Sequence, residues 1–258
     1  MKHLKDKHKY SIVSLGFFCS VALENERIGL RDCSLPFDWL ITSDFEKVLW
    51  LIENEFKDFM LEDNLYQEYD INPNYYYDKK NKVHFYHDFV CSESLRNQYS
   101  VVYKKYKRRI IRFYEIISKP TIFIRYCSGG EKEVNYIRNN RTKILNILKK
   151  YNSDNKLIII YTGAINNIEN DYTFCVEADN NDTVARVYLK KIPKLQHILL
   201  DNSNLTKKQI LNNIKKVKIK KIISLYKRFI KQIQKYFYRT SKVIYYHNKQ
   251  YSNLQNEV

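Results

Sequence analysis

KYKRRIIRFYEIISKPTIFIRY, Lys105–Tyr126, holds two kinds of pattern back to back. Its first part belongs to a basic amphipathic helix running from Tyr99 to Ser118, stopped ahead of Pro120, a residue that cannot continue a helix. Its second part, TIFIRY, reads as a buried strand interrupted only by Arg125. Downstream the alternation repeats. Glu131 to Tyr151 reads as a helix, and KLIIIYTG, Lys156–Gly163, as another buried strand closed by glycine. Helix, apolar strand, helix, apolar strand is the order of a parallel sheet covered on both faces. The expected fold class is therefore α/β, with a central, mainly parallel sheet flanked by helices.

Upstream, YSIVSL (Tyr10–Leu15) reads as a short strand stopped by Gly16, and Phe18–Ile28 as a helix with Gly29 near its C-cap. The half from Gly29 to Val90 is irregular and suits the wall of a site. In CSLPFDWLIT (Cys33–Thr42), Pro36 holds the residue before it extended. Ser43 or Asp44 can cap a helix whose apolar positions run from Phe45 to Phe56. Leu61–Lys82 is polar and tyrosine-rich and reads as a long loop. KVHFYHDFV (Lys82–Val90) alternates as a strand, with Val83, Phe85, His87 and Phe89 on one face. YTFCVEAD and ARVYLKKI read as two shorter strands, with HILLD close behind.

Charge divides the chain. Of 45 basic and 28 acidic residues, giving a net charge of +17, the segment from Asn202 to Val258 holds 14 basic residues and a single acid, Glu257. The expected organisation is a charged arm at 1–9, an α/β core at 10–201 and a basic, mainly helical segment at 202–258. Because the core is nearly neutral, a nucleic-acid partner is not expected. In the tail, Leu211, Ile214, Ile222, Leu225, Phe229, Ile233 and Tyr236 recur at helical spacing among lysines, with a break near Ile219. Residues 204–242 thus form a basic amphipathic helix. It either packs on the core or adsorbs to an anionic membrane surface.

With 5 glycines and 4 prolines, a loop-rich or collagenous fold is excluded. The N-terminus lacks the apolar run of a secretory signal, and no stretch reaches the ~18 apolar residues of a membrane span. A cytoplasmic location follows as the expectation, with peripheral membrane association through the tail. Cys19, Cys33, Cys91, Cys127 and Cys175 contain no CxxC pair, and no spacing completes a metal set. No metal or cofactor is expected.

Cys19 stands where a strand ends and a helix begins. Helix N–H groups there favour a thiolate and can hold an oxyanion, and Gly16 permits the tight turn. A small buried cysteine is the competing reading. His87 is the best base candidate, sharing a face with Phe85 and Phe89. Asp88 can orient it only if the chain bends, and Asp38 is the alternative acid. Arg125, Arg31 and the run Lys107–Arg109 offer guanidinium groups for a phosphate or a sugar-nucleotide.

SLGFFCSVAL, GLRDCSLPFDWL, HFYHDF, KYKRRIIRFYEII and TIFIRY, in that order, resemble the motifs of a mainly bacterial family described as papain-like cysteine peptidases. The resemblance covers residues 10 to 165 and rests on Ser14, Leu15, Gly16, Cys19, Leu30, Arg31, Ser34, Pro36–Trp39, His87–Phe89, Tyr106, Arg108, Arg109 and Arg125. It implies a Cys19 nucleophile with His87 as base. Gly16, Arg31, Trp39 and Arg125 would line the substrate, a peptide, amide or glycan-related molecule. It also implies an alternative fold, papain-like α+β with an antiparallel sheet. Three functions remain open on sequence: a cysteine hydrolase or acyltransferase; a glycan- or nucleotide-sugar-related α/β enzyme using Arg125; and a non-enzymatic protein of membrane surfaces.

Overall fold

The computed structural model describes residues 9–67, 75–90, 92–127, 131–162, 173–176 and 188–255. β1 (Ser11–Ser14) leads into α1 (Ser20–Arg27). A 3-10 turn (Pro36–Trp39) runs directly into β2 (Leu40–Ile41), and α2 (Phe45–Glu53) follows. β3 (Leu65–Gln67), β4 (Tyr76–Asp78) and β5 (Val83–Phe85) precede the long α3 (Leu95–Ile117). Then come β6 (Thr121–Cys127), α4 (Glu131–Asn139), α5 (Arg141–Lys149), β7 (Lys156–Thr162), β8 (Thr173–Val176), α6 (Tyr188–Lys191), α7 (Pro193–Asn202) and α8 (Lys207–Gln255).

β1, β6, β7 and β8 form a parallel sheet in that order, with Val13 opposite Phe123 and Ile124 opposite Ile158. The apolar runs of β6 and β7 exist because both faces are covered. Ile122, Ile124, Ile158 and Ile160 enter one core cluster with Val21 of α1 and Leu195 and Leu199 of α7. Phe123, Leu157 and Ile159 enter the other with Val48 of α2, Phe113 of α3 and Ile144 of α5. Each such side chain stabilises by about 1.5–3 kcal/mol when fully buried. Asn155 ties the layers at the amino end of the sheet. Its side chain accepts from Thr121 N and donates to Ile117 O and Leu148 O at 2.9–3.0 Å. α1 ends as read: Gly29 takes φ +81°, which lets Leu30 N turn back to Asn25 O at 2.8 Å.

The fold is thus the α/β one, and the central sheet is not the antiparallel sheet of the papain-like alternative. The irregular half does hold a second, antiparallel sheet of order β2-β5-β4-β3. Two of its strands lie in the stretch read as loop. Their stability comes from tertiary bonds that a polar sequence conceals: the buried Asp78 carboxylate accepts from Met60 N, Asn81 N and Asn81 Nδ2. The strand read over Lys82–Val90 is only Val83–Phe85, and the chain bends at Tyr86–Asp88.

Other readings change too. The helix expected over 131–151 breaks at Asn140 into α4 and α5. The described part of ARVYLKKI is the helix α6, and HILLD lies in α7, whose first residue is Pro193. Gly163 lies outside the described residues. The helix of the tail is unbroken at Ile219. The chain divides into two compact units, Met1–Asn213 and Ile214–Val258. Within the first, Tyr10 and Ser203 form a parallel bridge, closing the segment after α7 onto the start of β1.

Candidate active site

Cys19 is the N-cap residue of α1, at the carboxyl end of the edge strand β1, and is half-buried. Loops at this end of an open parallel sheet are where ligand sites form. The first helical bond runs from Leu23 N to Cys19 O, and among the described residues no side-chain capping bond forms at this N-cap. The N–H groups ahead of Leu23 therefore have no partner within the helix. The turn that carries Cys19 is held from below. Thr42 N donates to Phe17 O at 2.7 Å. Gly16, at φ +81°, packs so closely that a Cβ there would stand 2.4 Å from Thr42 Oγ1.

Arg125 completes that support. It is fully buried and points to the α2 side of β6. Its Nη1 donates to Leu15 O at 2.9 Å and Thr42 Oγ1 at 2.7 Å, its Nη2 to Thr42 O at 2.6 Å, and its Nε to Glu133 Oε1 at 2.7 Å. Its guanidinium also lies over the Phe45 ring at 4.9 Å. Arg125, expected to face substrate, is therefore a strut beneath the Cys19 turn, and so is Gly16.

His87 sits at the bend after β5, exposed rather than on the core face with Phe85 and Phe89 as expected. The bend turns its imidazole onto Trp39, edge to face at 5.9 Å, with Tyr86 on another side at 4.5 Å. Partial burial holds its pKa below the ordinary imidazole value, and the neighbouring Asp88 carboxylate pulls it back up. Asp88 is nonetheless engaged elsewhere. It accepts from Tyr106 OH at 2.6 Å and pairs with Lys105.

Asp38 is buried within its own turn. Its Oδ2 accepts from Leu35 N at 2.9 Å and from Arg31 Nε at 3.1 Å. Burial raises the Asp38 carboxyl pKa, and the Arg31 guanidinium opposes this. Arg31 also reaches Ser34 Oγ at 2.7 Å and Glu26 Oε1 at 3.3 Å, and covers the Trp39 ring at 5.0 Å. Neither acid bonds the His87 imidazole.

The structure thus joins the separate motifs in one chain of contacts: Asp38, Arg31, Trp39, His87, then Asp88 and Tyr106. Arg109 closes it, stacked on Tyr106 at 4.8 Å and buried, whereas Lys107 and Arg108 face solvent. β2 links this cluster to Cys19. Its pairing with β5 places Leu40 opposite Phe85, so His87 lies toward its Trp39 end, while Thr42 just beyond its other end holds the Cys19 turn. Thr42, Glu133 and Lys105 carry no sequence signal for these roles, which arise only from contacts between distant segments.

Burial pushes the Cys33 and Cys127 thiols up, away from the thiolate. Among the described residues, no group of three His, Cys, Asp or Glu side chains stands together to hold a metal ion.

Residues 10–155 match the family described as "Putative papain-like cysteine peptidase". The chain belongs to this family. The matched span begins at β1 and ends just before β7, so in this papain-like cysteine peptidase family member Cys19, His87, Asp38, Asp88 and Arg125 all fall inside it, and α6–α8 fall outside. "Uncharacterized protein R408" of Acanthamoeba polyphaga mimivirus is 28% identical, with 66% of this chain and 88% of that protein covered. No solved structure matches the chain.

Proposed function

We propose that this chain is a cysteine hydrolase or acyltransferase in which Cys19 attacks the carbonyl carbon of an amide or thioester. The observation that carries this reading is the position of Cys19: a half-buried thiol at an uncapped helix start, at the carboxyl end of a parallel strand, on a turn braced by Gly16, Thr42 and Arg125. His87 is assigned the thiol proton, which requires its imidazole to come from the Trp39 end of β2 to the Cys19 sulfur as the sulfur–carbon bond forms. The first-turn N–H groups of α1 hold the negative oxygen of the tetrahedral intermediate. His87 returns the proton to the departing amine or thiol, leaving a thioester on Cys19. Water or an acceptor nucleophile, deprotonated by His87, then attacks that thioester and restores the thiol. Asp88 acts on His87 through its charge, and Asp38, Arg31 and Trp39 hold the wall against which His87 rests.

Peptide mass spectrometry of Cys19 alkylation against pH tests the pair, in the wild type and in His87→Ala. Labelling that stays fast below pH ~7, and slows in His87→Ala, is expected for an activated thiolate. A Cys19 that titrates as an ordinary thiol near ~8.5 in both proteins would remove the nucleophile from this reading.

A further inference from the structure

The second unit carries a surface that the Cys19 chemistry does not use. In α8 the described side chains between Ile219 and Ile233 separate cleanly around the helix at 3.6 residues per turn. Ile219, Ile222, Tyr226, Phe229, Ile230 and Ile233 occupy one half. Lys220, Lys221, Lys227, Arg228 and Lys231 occupy the other. Much of the apolar half is exposed, Ile222 at 65%, Tyr226 at 63% and Phe229 at 57%, while Ile230 and Ile233 are half-buried. The segment Asn202–Val258 contains a single acid, Glu257.

We propose that this face of α8 lies on an anionic lipid bilayer surface. Charge chooses the occupant. A second copy of the helix would bring only cations to its cations, with no carboxylate to form interhelical pairs. With the exposed Ile223 and Leu225, the apolar sector spans about 160° of the circumference, wider than the narrow seam of a coiled coil and suited to a helix lying in an interface. Lipid phosphates supply the negative charge that the cationic half lacks, and the acyl boundary takes the isoleucines and Phe229. Long lysine stems reach past the apolar sector to the headgroups. Among the described residues no helix is long and apolar enough to cross a membrane, so the contact is with the surface.

The experiment is co-sedimentation of the full chain with phosphatidylcholine vesicles, with and without phosphatidylglycerol, across a salt series. Two variants accompany it: Ile222→Glu/Phe229→Glu for the apolar half and Lys227→Gln/Arg228→Gln/Lys231→Gln for the cationic half. Circular dichroism and thermal unfolding confirm that each keeps its fold. Binding at least ~10-fold tighter to the anionic vesicles is expected, weakened by salt and lost in both variants. Equal binding to neutral vesicles, or unchanged binding in either variant, overturns the proposal. So does an absence of vesicle binding, including the case where light scattering shows a dimer that Ile222→Glu/Phe229→Glu dissolves. That last result would assign the face to a second copy of the chain.

Discussion

At the scale of single residues, the site depends on atoms that a sequence pattern does not weigh. Gly16 is needed twice, for its positive φ and for the 2.4 Å that a Cβ would leave to Thr42 Oγ1. Gly16→Ala should cost about 2 kcal/mol or more in chemical denaturation, and should disturb Cys19 labelling with it. An unchanged denaturation midpoint would mean that the turn relaxes freely. His87 provides a second test. Its folded pKa lies below the unfolded value near ~6.5, because partial burial disfavours the imidazolium. Protonation therefore favours the unfolded chain, and the stability tied to His87 is lost as pH falls through ~6.5 toward the folded pKa. An NMR titration should place the His87 midpoint below that of a free histidine, and Asp88→Asn should lower it further by removing the carboxylate that raises it. A midpoint that rises in Asp88→Asn would contradict this assignment of charge.

At the scale of elements, buried polar side chains do the joining. Arg125 connects β6 to the end of β1, to Thr42 and to Glu133 of α4. Arg125→Ala strips all four bonds of this buried guanidinium, the one to Glu133 included, a loss of about 3–5 kcal/mol. Arg125→Lys should recover only part of this, since one ammonium cannot reproduce the planar fork. Equal stability of the alanine and lysine variants would show that the fork geometry is unimportant. Asn155→Ala removes partners from Thr121 N, Ile117 O and Leu148 O together, and should lower stability by about 2–3 kcal/mol without altering Cys19 reactivity, because it acts at the opposite end of the sheet.

At the scale of the whole molecule, the two sheets differ in how they are sheltered. β6 and β7 are interior strands of the parallel sheet, with side chains in both core clusters. β3 is an edge strand of three residues, with Tyr66 43% exposed. Native-state hydrogen exchange should therefore release the amides of β3 and β4 well before those of β6 and β7, which should exchange only through global unfolding. Simultaneous exchange of both sheets would show one cooperative unit. The division matters for the site, since Cys19 hangs from the parallel sheet and His87 from the antiparallel one, with β2 and Thr42 as the link between them.

The sequence alone determined the parallel sheet, because residues buried on both faces of β6 and β7 must all be apolar and so leave a continuous run. It determined where α1 ends, since Gly29 carries its own reason for ending a helix there, and the amphipathic pattern of α8. The order of its motifs, legible in one dimension, also pointed to the family whose description matches residues 10–155. Only the tertiary structure decided what the polar residues do. Arg125 reads as a ligand-binding arginine until Leu15, Thr42 and Glu133, distant in sequence, are seen to take its donors. Asp88 and Asp38 read as partners of His87 until Tyr106, Lys105, Leu35 and Arg31 are found around them. The antiparallel sheet was hidden for the same reason. Burial of an apolar side chain follows from its composition, whereas a polar one is settled by whichever partner the fold brings within hydrogen-bonding distance.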